Sequence, residues 1–207
     1  MAAPDKAHWE TVYGTRPGES LSWYQQGGGL SLEWIQGLAL PSEAGIIDVG
    51  GGMSTLIDEL VAAGFTDLTV LDISEQALQQ SRNRLDAAAD AVEWRVEDIT
   101  QAELPNDRFD LWHDRAVFHF LTEAAHREAY VQRLMRSLRP GGWVLMATFA
   151  LDGPERCSGL PVVRYGPESL QETLGQGFSI IKHAAVEHMT PAGAVQNFNF
   201  CLFKSLI

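Results

Sequence analysis

The sequence has little cysteine, little positive charge and no long apolar run, and each shortage removes a class of protein. Its 207 residues include two cysteines, Cys157 and Cys201. They form neither a disulfide framework nor a zinc-type spacing, which fits a reducing compartment. The histidines show no HExxH or facial-triad spacing, so no metal site is expected. Lysine and arginine total 15 against 27 aspartates and glutamates, a net charge of −12. A surface of that sign repels phosphate backbones and disfavours nucleic acid as a partner. No apolar run approaches the ~18 residues of a membrane span. The opening MAAPDKAHWE carries no basic-then-apolar targeting pattern. The expectation is a cytoplasmic protein.

What is present is an ordinary packed globule, 45% hydrophobic and 20% charged. At roughly 100–200 residues per domain, the length predicts one structural domain. Residues 1–43 read as an aromatic arm holding Trp9, Tyr13, Trp23, Tyr24 and Trp34, with a short helix near Leu30 to Leu40 closed by Pro41. From 44 to 207 the pattern alternates between strand and helix periods. Strands are predicted at Ile46–Val49, Leu68–Leu71, Val92–Val96, Phe109–Trp112 and Trp143–Phe149. Helices follow the first and second, capped by Ser54 and Ser74. Another runs from Thr122 with Tyr130, Leu134, Met135 and Leu138 inward and stops at Arg139-Pro140-Gly141-Gly142. After a helix at Pro167–Leu174, strands at Phe178–Val186 and Gln196–Phe203 flank a turn at Thr190–Gly193. This predicts an α/β fold: a doubly wound, mostly parallel sheet with helices on both faces and a final antiparallel pair.

The stretch Asp48-Val-Gly50-Gly51-Gly52-Met-Ser54 lies between a strand and a helix. Glycines there let a ligand press against bare peptide at a helix N-terminus. A dinucleotide fingerprint wants a third glycine where Thr55 stands, which argues against a nicotinamide dehydrogenase. Asp48 suits a ligand with a positive amino group and would repel a pyrophosphate. Asp72, at the end of the second strand, is placed to accept from a ribose diol. Asp98, closing the third, is placed to accept from an adenine amino group.

The set I-I-D-V-G-G-G, L-T-V-L-D, V-E-D-I, F-D-L-W-H-D-R and L-R-P-G-G-W-V-L, over about residues 45–150, resembles the class I S-adenosylmethionine-dependent methyltransferases. The resemblance implies S-adenosylmethionine as cofactor, S-adenosylhomocysteine as product, and a seven-stranded sheet of order 3-2-1-4-5-7-6 with strand 7 antiparallel. It implies that Asp48, Gly50 and Gly52 hold the methionine end, Asp72 and Ile73 the ribose, and Asp98 and Ile99 the adenine. Ser54 stands in place of the family's third glycine.

The acceptor side is less determined. Asp114-Arg115-Ala116 after strand 4, and the run from Leu160 to Leu170, resemble thiopurine methyltransferases. The W-x-x-x-Y and W-Y arm also resembles small protein-lysine methyltransferases. Tyr13 and Trp23 are candidate lid residues over the cofactor, with simple packing of the arm as the other reading. His113 is a candidate general base, or a strand-end residue offering its backbone carbonyl to the cofactor amine. Asp114 is a candidate for orienting an amine acceptor, or a partner for Arg115. Arg115 is a candidate receptor for an anionic acceptor. Arg164 and Tyr165 are candidate pocket residues, and a lowered thiol pKa is considered for Cys157. The favoured expectation is methyl transfer to a small-molecule nucleophile, a thiol or an amine. The alternatives are a protein-lysine methyltransferase with a lysine-bearing partner and a non-catalytic S-adenosylmethionine-binding regulator.

Overall fold

The computed structural model describes residues 6–207, so the first five residues of the expected arm lie outside the described residues. The strands are β1 (Ile46–Val49), β2 (Leu68–Asp72), β3 (Val92–Val96), β4 (Phe109–Arg115), β5 (Leu138–Phe149), β6 (Arg156–Cys157), β7 (Leu160–Pro161), β8 (Phe178–Met189) and β9 (Val195–Ser205). Seven form one sheet of order β3-β2-β1-β4-β5-β9-β8, and β6 and β7 make a separate hairpin. Strands β1 to β5 pair in parallel, while β9 is antiparallel to both β5 and β8. With the small hairpin set aside, this is the expected order with its antiparallel last strand.

The helices are α1 (Lys6–Thr15), α2 (Gly29–Gly37), α3 (Leu56–Ala62), α4 (Glu75–Leu85), α5 (Ala124–Ser137) and α6 (Pro167–Leu174). Side chains alternate across a strand, so each strand feeds two cores. Ile46, Val70, Leu111 and Leu145 pack with Ile35 of α2, Leu60 of α3 and Leu78 of α4. Their neighbours Ile47, Leu71, Trp112 and Met146 pack on the other face, with Tyr130 and Leu134 of α5 and Leu170 and Leu174 of α6. Apolar runs such as Leu68–Leu71 are buried along their whole length because helices cover both faces.

Several boundaries differ from the sequence reading. The arm opens with helix α1, which its weak amphipathic pattern did not reveal. Ser74 caps α4 as expected, its Oγ accepting from Ala77 N–H at 3.2 Å. Ser54 accepts from Leu56 N–H at 3.2 Å, but Thr55 holds the cap position of α3. Met135, expected inward, is 41% exposed, since it lies one helical step round from Leu134. Helix α5 ends at Ser137, and the backbone turns extended at Leu138 to begin β5. Strand β4 runs three residues beyond Trp112, which sets which way its last side chains point.

One buried polar link joins sheet and helix beneath that strand end. Trp112 Nε1–H donates to the Tyr130 hydroxyl at 2.8 Å, and that hydroxyl donates to Asp114 at 2.6 Å. Replacing Tyr130 by Phe leaves Trp112 Nε1–H without an acceptor and removes one of the donors to Asp114, so unfolding in urea is expected at a lower midpoint, with a loss of about 1–3 kcal/mol. An unchanged midpoint would show that the link contributes nothing.

Candidate functional site

The glycine loop after β1 is built so that nothing larger fits. Gly50 has φ +68°, and a Cβ there would sit 1.9 Å from Val117 Cγ2. Gly52 has φ +40°, and its Cβ would meet Asp72 Oδ2 at 2.8 Å and the Tyr13 hydroxyl at 3.1 Å. Both positions demand the left-handed backbone that glycine adopts freely. The bare loop therefore forms the floor of a crevice at the C-terminal edge of the parallel strands, where open α/β sheets bind ligands.

Two adjoining cavities occupy this edge. The larger is lined by Asp72, Ile73, Glu97, Asp98 and Ile99. Trp9, Trp23, Arg115, Val117, Phe120 and Cys157 also line it. The smaller contains Asp48, Gly50, Gly51, His113 and Tyr24. Tyr13, Trp23, Gly50 and Arg115 border both.

The three acids differ in how they are held. Asp48 is buried; one oxygen accepts from His113 and the other, Oδ2, is buried without a partner. Asp72 accepts from Ser74 N–H at 2.8 Å. Burial pushes its pKa up to about 7, with the charges of Asp48 and Glu10 adding to the rise and hydrogen bonds from the Ser74 and Ile73 amides opposing it. Asp98 lies two residues past the end of β3. It closes a turn, accepting from the Thr100 amide and hydroxyl at 2.8 Å each and from Gln101 at 3.1 Å.

The trio at the end of β4 does not act together. Alternation sends Asp114 to the α5 face, where the Val117 and Phe118 amides and the Tyr130 hydroxyl donate to it. Burial raises its pKa to about 6. It is neither an ion-pair partner of Arg115 nor at the cavity wall. That geometry gives it a turn-closing role in place of the expected contact with an acceptor. His113 points to the opposite face, and both its ring nitrogens are engaged: Nδ1 lies 2.6 Å from Asp48 Oδ1 and Nε2 2.8 Å from Ser31 Oγ. A nitrogen free to take a proton from an acceptor is missing, which corrects the general-base expectation. Arg115 does border both cavities. Its Nη1 donates to the Trp23 carbonyl at 2.9 Å, its guanidinium stacks 5.3 Å from the Phe198 ring, and its Nε is buried without a partner. Burial lowers its pKa to about 10, where it is still a cation at neutral pH.

Other expectations shift as well. Burial pushes the Cys157 thiol up to about 11, the reverse of an activated thiol. Tyr165 is buried against Phe118 at 5.6 Å, and Arg164 bonds the Gly153 carbonyl and Glu155; neither lines the cavities. Among the described residues no cluster of His, Cys, Asp or Glu has a metal-holding arrangement.

The arm closes over this edge. Trp9 packs edge-on against Phe120 at 5.1 Å and Trp23 at 5.8 Å, and Tyr13 lies 6.0 Å from Trp23. Glu10 fastens it: the Glu75 amide, Ser74 hydroxyl and Gln76 amide at the start of α4 donate to its carboxylate at 2.8, 3.0 and 3.3 Å. This places a negative charge at the positive end of a helix. Although burial pushes the other way, those hydrogen bonds hold the Glu10 carboxyl below its ordinary value. Glu10, Ser31 and Phe120 were not foreseen, because a lone Glu, Ser or Phe in sequence carries no mark of its partner across the fold.

Residues 46–142 match a family model described as a methyltransferase domain. Over that stretch, a little under half of its length, the chain is similar to a methyltransferase domain. It is 24% identical to the human EEF1A lysine methyltransferase 2 over 158 residues, covering 69% of this chain and 66% of that protein. It is 28% identical to the ubiquinone/menaquinone biosynthesis C-methyltransferase UbiE of Roseobacter denitrificans, covering 51% of this chain and 42% of that protein. The chain thus spans at most about two thirds of the length of these two relatives. The 1,6-didemethyltoxoflavin-N1-methyltransferase of Burkholderia thailandensis, solved with its didemethyltoxoflavin and S-adenosylhomocysteine, aligns with TM-score 0.69 and 18% identity, covering 86% of this chain and 78% of that one. These likenesses agree with the S-adenosylmethionine-dependent class and leave the acceptor open between protein and small molecule.

The clasp at Glu10 gives a direct test of how the arm is held. Glu10→Ala is expected to increase quenching of tryptophan fluorescence by acrylamide, as Trp9 and Trp23 gain exposure. Quenching equal to wild type would mean that aromatic packing alone holds the arm.

Proposed function

We propose that this methyltransferase moves the methyl group of S-adenosylmethionine to a small-molecule nucleophile, a thiol or an amine. The observation that carries the reading is one crevice lined by strand-end acids together with aromatic side chains and one cation, Arg115. The residues fit the cofactor: Gly50 of the glycine loop borders both cavities, and the buried Asp48 Oδ2 lacks a donor that an ammonium would supply. Asp48, Gly50 and Gly52 would hold the amino-acid end, Asp72 and Ile73 the ribose, and Asp98 and Ile99 the adenine. Tyr13 and Trp23 would cover the nucleoside thioether. When bound, the sulfonium supplies an electrophilic methyl.

The chain's own part is then alignment and exclusion of water. Trp9, Trp23, Phe120 and the clasped arm make an apolar chamber beside Gly50. Cys157 stays a neutral thiol there, and Arg115 is a cation. Neither takes a proton readily, so the chamber suits a nucleophile that arrives as a thiolate or neutral amine. Arg115 would steady negative charge on such an acceptor. A second reading, transfer to a protein lysine, is favoured by the likeness to the human EEF1A lysine methyltransferase 2 and by a net charge of −12 that attracts basic partners.

Methyl-labelled S-adenosylmethionine in a cell extract split by size separates these readings. Label in the small fraction supports the proposal, and label on a discrete protein band gives the lysine reading. Saturable cofactor binding with neither fraction labelled favours the regulator. Asp48→Asn and Asp72→Asn are each expected to weaken S-adenosylhomocysteine by about 10–150-fold, since a charge-assisted hydrogen bond contributes about 1.5–3 kcal/mol. Arg115→Ala is expected to spare that affinity and lower kcat/KM. Loss of cofactor binding in Arg115→Ala would move the residue to the cofactor's site.

Asp72 also makes a pH prediction. Its folded pKa of about 7 lies above its unfolded value, so its contribution to the stability of the free protein is full in acid and declines as pH rises through 7. Ribose hydroxyls donate to the ionised form, so cofactor affinity should rise from about pH 6 to about pH 8, where the carboxylate is already ionised. Titrations of S-adenosylhomocysteine across this range should show the rise in wild type and a flat profile in Asp72→Asn.

A further inference from the structure

The sheet register puts Asp48 of β1 directly beside His113 of β4, on the same face. Both are buried, and so is Ser31 of α2, at 2% exposure. The three make a linear chain: Asp48 Oδ1 to His113 Nδ1 at 2.6 Å, and His113 Nε2 to Ser31 Oγ at 2.8 Å. A carboxylate can only accept, so Nδ1 donates to Asp48, and Nε2 shares the second hydrogen bond with the serine hydroxyl. The order acid, imidazole, hydroxyl is that of a hydrolytic triad. Ser31 is buried and lines neither cavity, so it has no access to a substrate and nucleophilic attack is excluded. The chain ends instead on the one acid that borders the smaller cavity and retains a buried oxygen without a donor.

We propose that His113 and Ser31 are positioning residues for the cofactor's amino-acid end. His113 fixes the rotation of the Asp48 carboxylate and leaves Oδ2 for the ammonium, while Ser31 fixes the ring of His113. Helix α2 of the arm thereby enters the recognition of the ammonium without touching it. This rests on the reading that Asp48 holds the amino group. A free carboxylate would rotate to satisfy itself on the glycine loop, and the hydrogen-bonded pair removes that freedom before the ligand arrives.

The test compares two ligands on the purified full chain by calorimetry. S-adenosylhomocysteine has the amino-acid end, and 5′-methylthioadenosine is the nucleoside thioether without it. Ser31→Ala and His113→Phe are expected to weaken S-adenosylhomocysteine about tenfold, the loss of one hydrogen-bonded constraint, with 5′-methylthioadenosine within twofold of wild type. His113→Asn, which keeps a donor near the Nδ1 position, should recover part of the loss. Equal weakening of both ligands, or of neither, would overturn the proposal, since a merely structural role does not distinguish them. Ser31→Ala removes one hydroxyl and keeps the test open if His113→Phe fails to fold. Asp48→Asn separates the two layers. If it alone lowers the preference for S-adenosylhomocysteine, the relay fails and the Asp48 reading stands; if it leaves the preference intact, the Asp48 reading fails and the relay with it.

Discussion

A carboxylate placed inside a parallel sheet is costly unless something donates to it, and Asp48 sits at the end of an otherwise apolar strand, Ile46–Val49. The β1–β4 pairing meets that cost by setting His113 at its side. Much else at the edge of the sheet depends on this pair. Ser31 reaches the histidine from α2 and so ties the arm to the strand ends. The glycine loop folds over Asp48, with Gly51 so close that a Cβ would stand 2.7 Å from Oδ2. A side chain at Gly51 would push either the acid or the loop away, and the crevice floor with it.

The second constraint is the two-residue period of β4. His113 and Arg115 share one face and Asp114 takes the other, so three adjacent polar residues serve three purposes. One backs an acid, one closes a turn beneath α5, and one faces the cavities. The same alternation divides the apolar residues between two cores, which is why the sheet needs α2 to α4 on one side and α5 and α6 on the other.

The arm connects these constraints to the proposed chemistry. It has little amphipathic pattern of its own and is held by what it reaches: Glu10 on the start of α4, the Trp23 carbonyl on Arg115, and Trp9 on Phe120. Each contact is individually modest, and together they close the aromatic side of the chamber. Arg115 therefore has a double place, as a fastening for the arm and as a cation bordering both cavities.

The alternation of strands and helices and the antiparallel final hairpin were legible in the sequence because they are local, whereas the order of the strands in the sheet came only through the family resemblance. A strand of Ile-Ile-Asp-Val, a run of glycines and a capped helix follow from neighbouring residues through steric and hydrogen-bonding rules that act over a few positions. Alternation along Phe109–Arg115 also stood in the sequence, and applying it as far as Arg115 would have parted Asp114 from its neighbours. Other features were settled by tertiary structure alone. That His113 meets Asp48 and Ser31, that Glu10 caps a helix 65 residues away, and that Cys157 is buried with its thiol pKa raised all depend on which distant segments pack together. Sequence fixes the chemistry each side chain can perform; the partner it meets in three dimensions decides which of those it is free to perform.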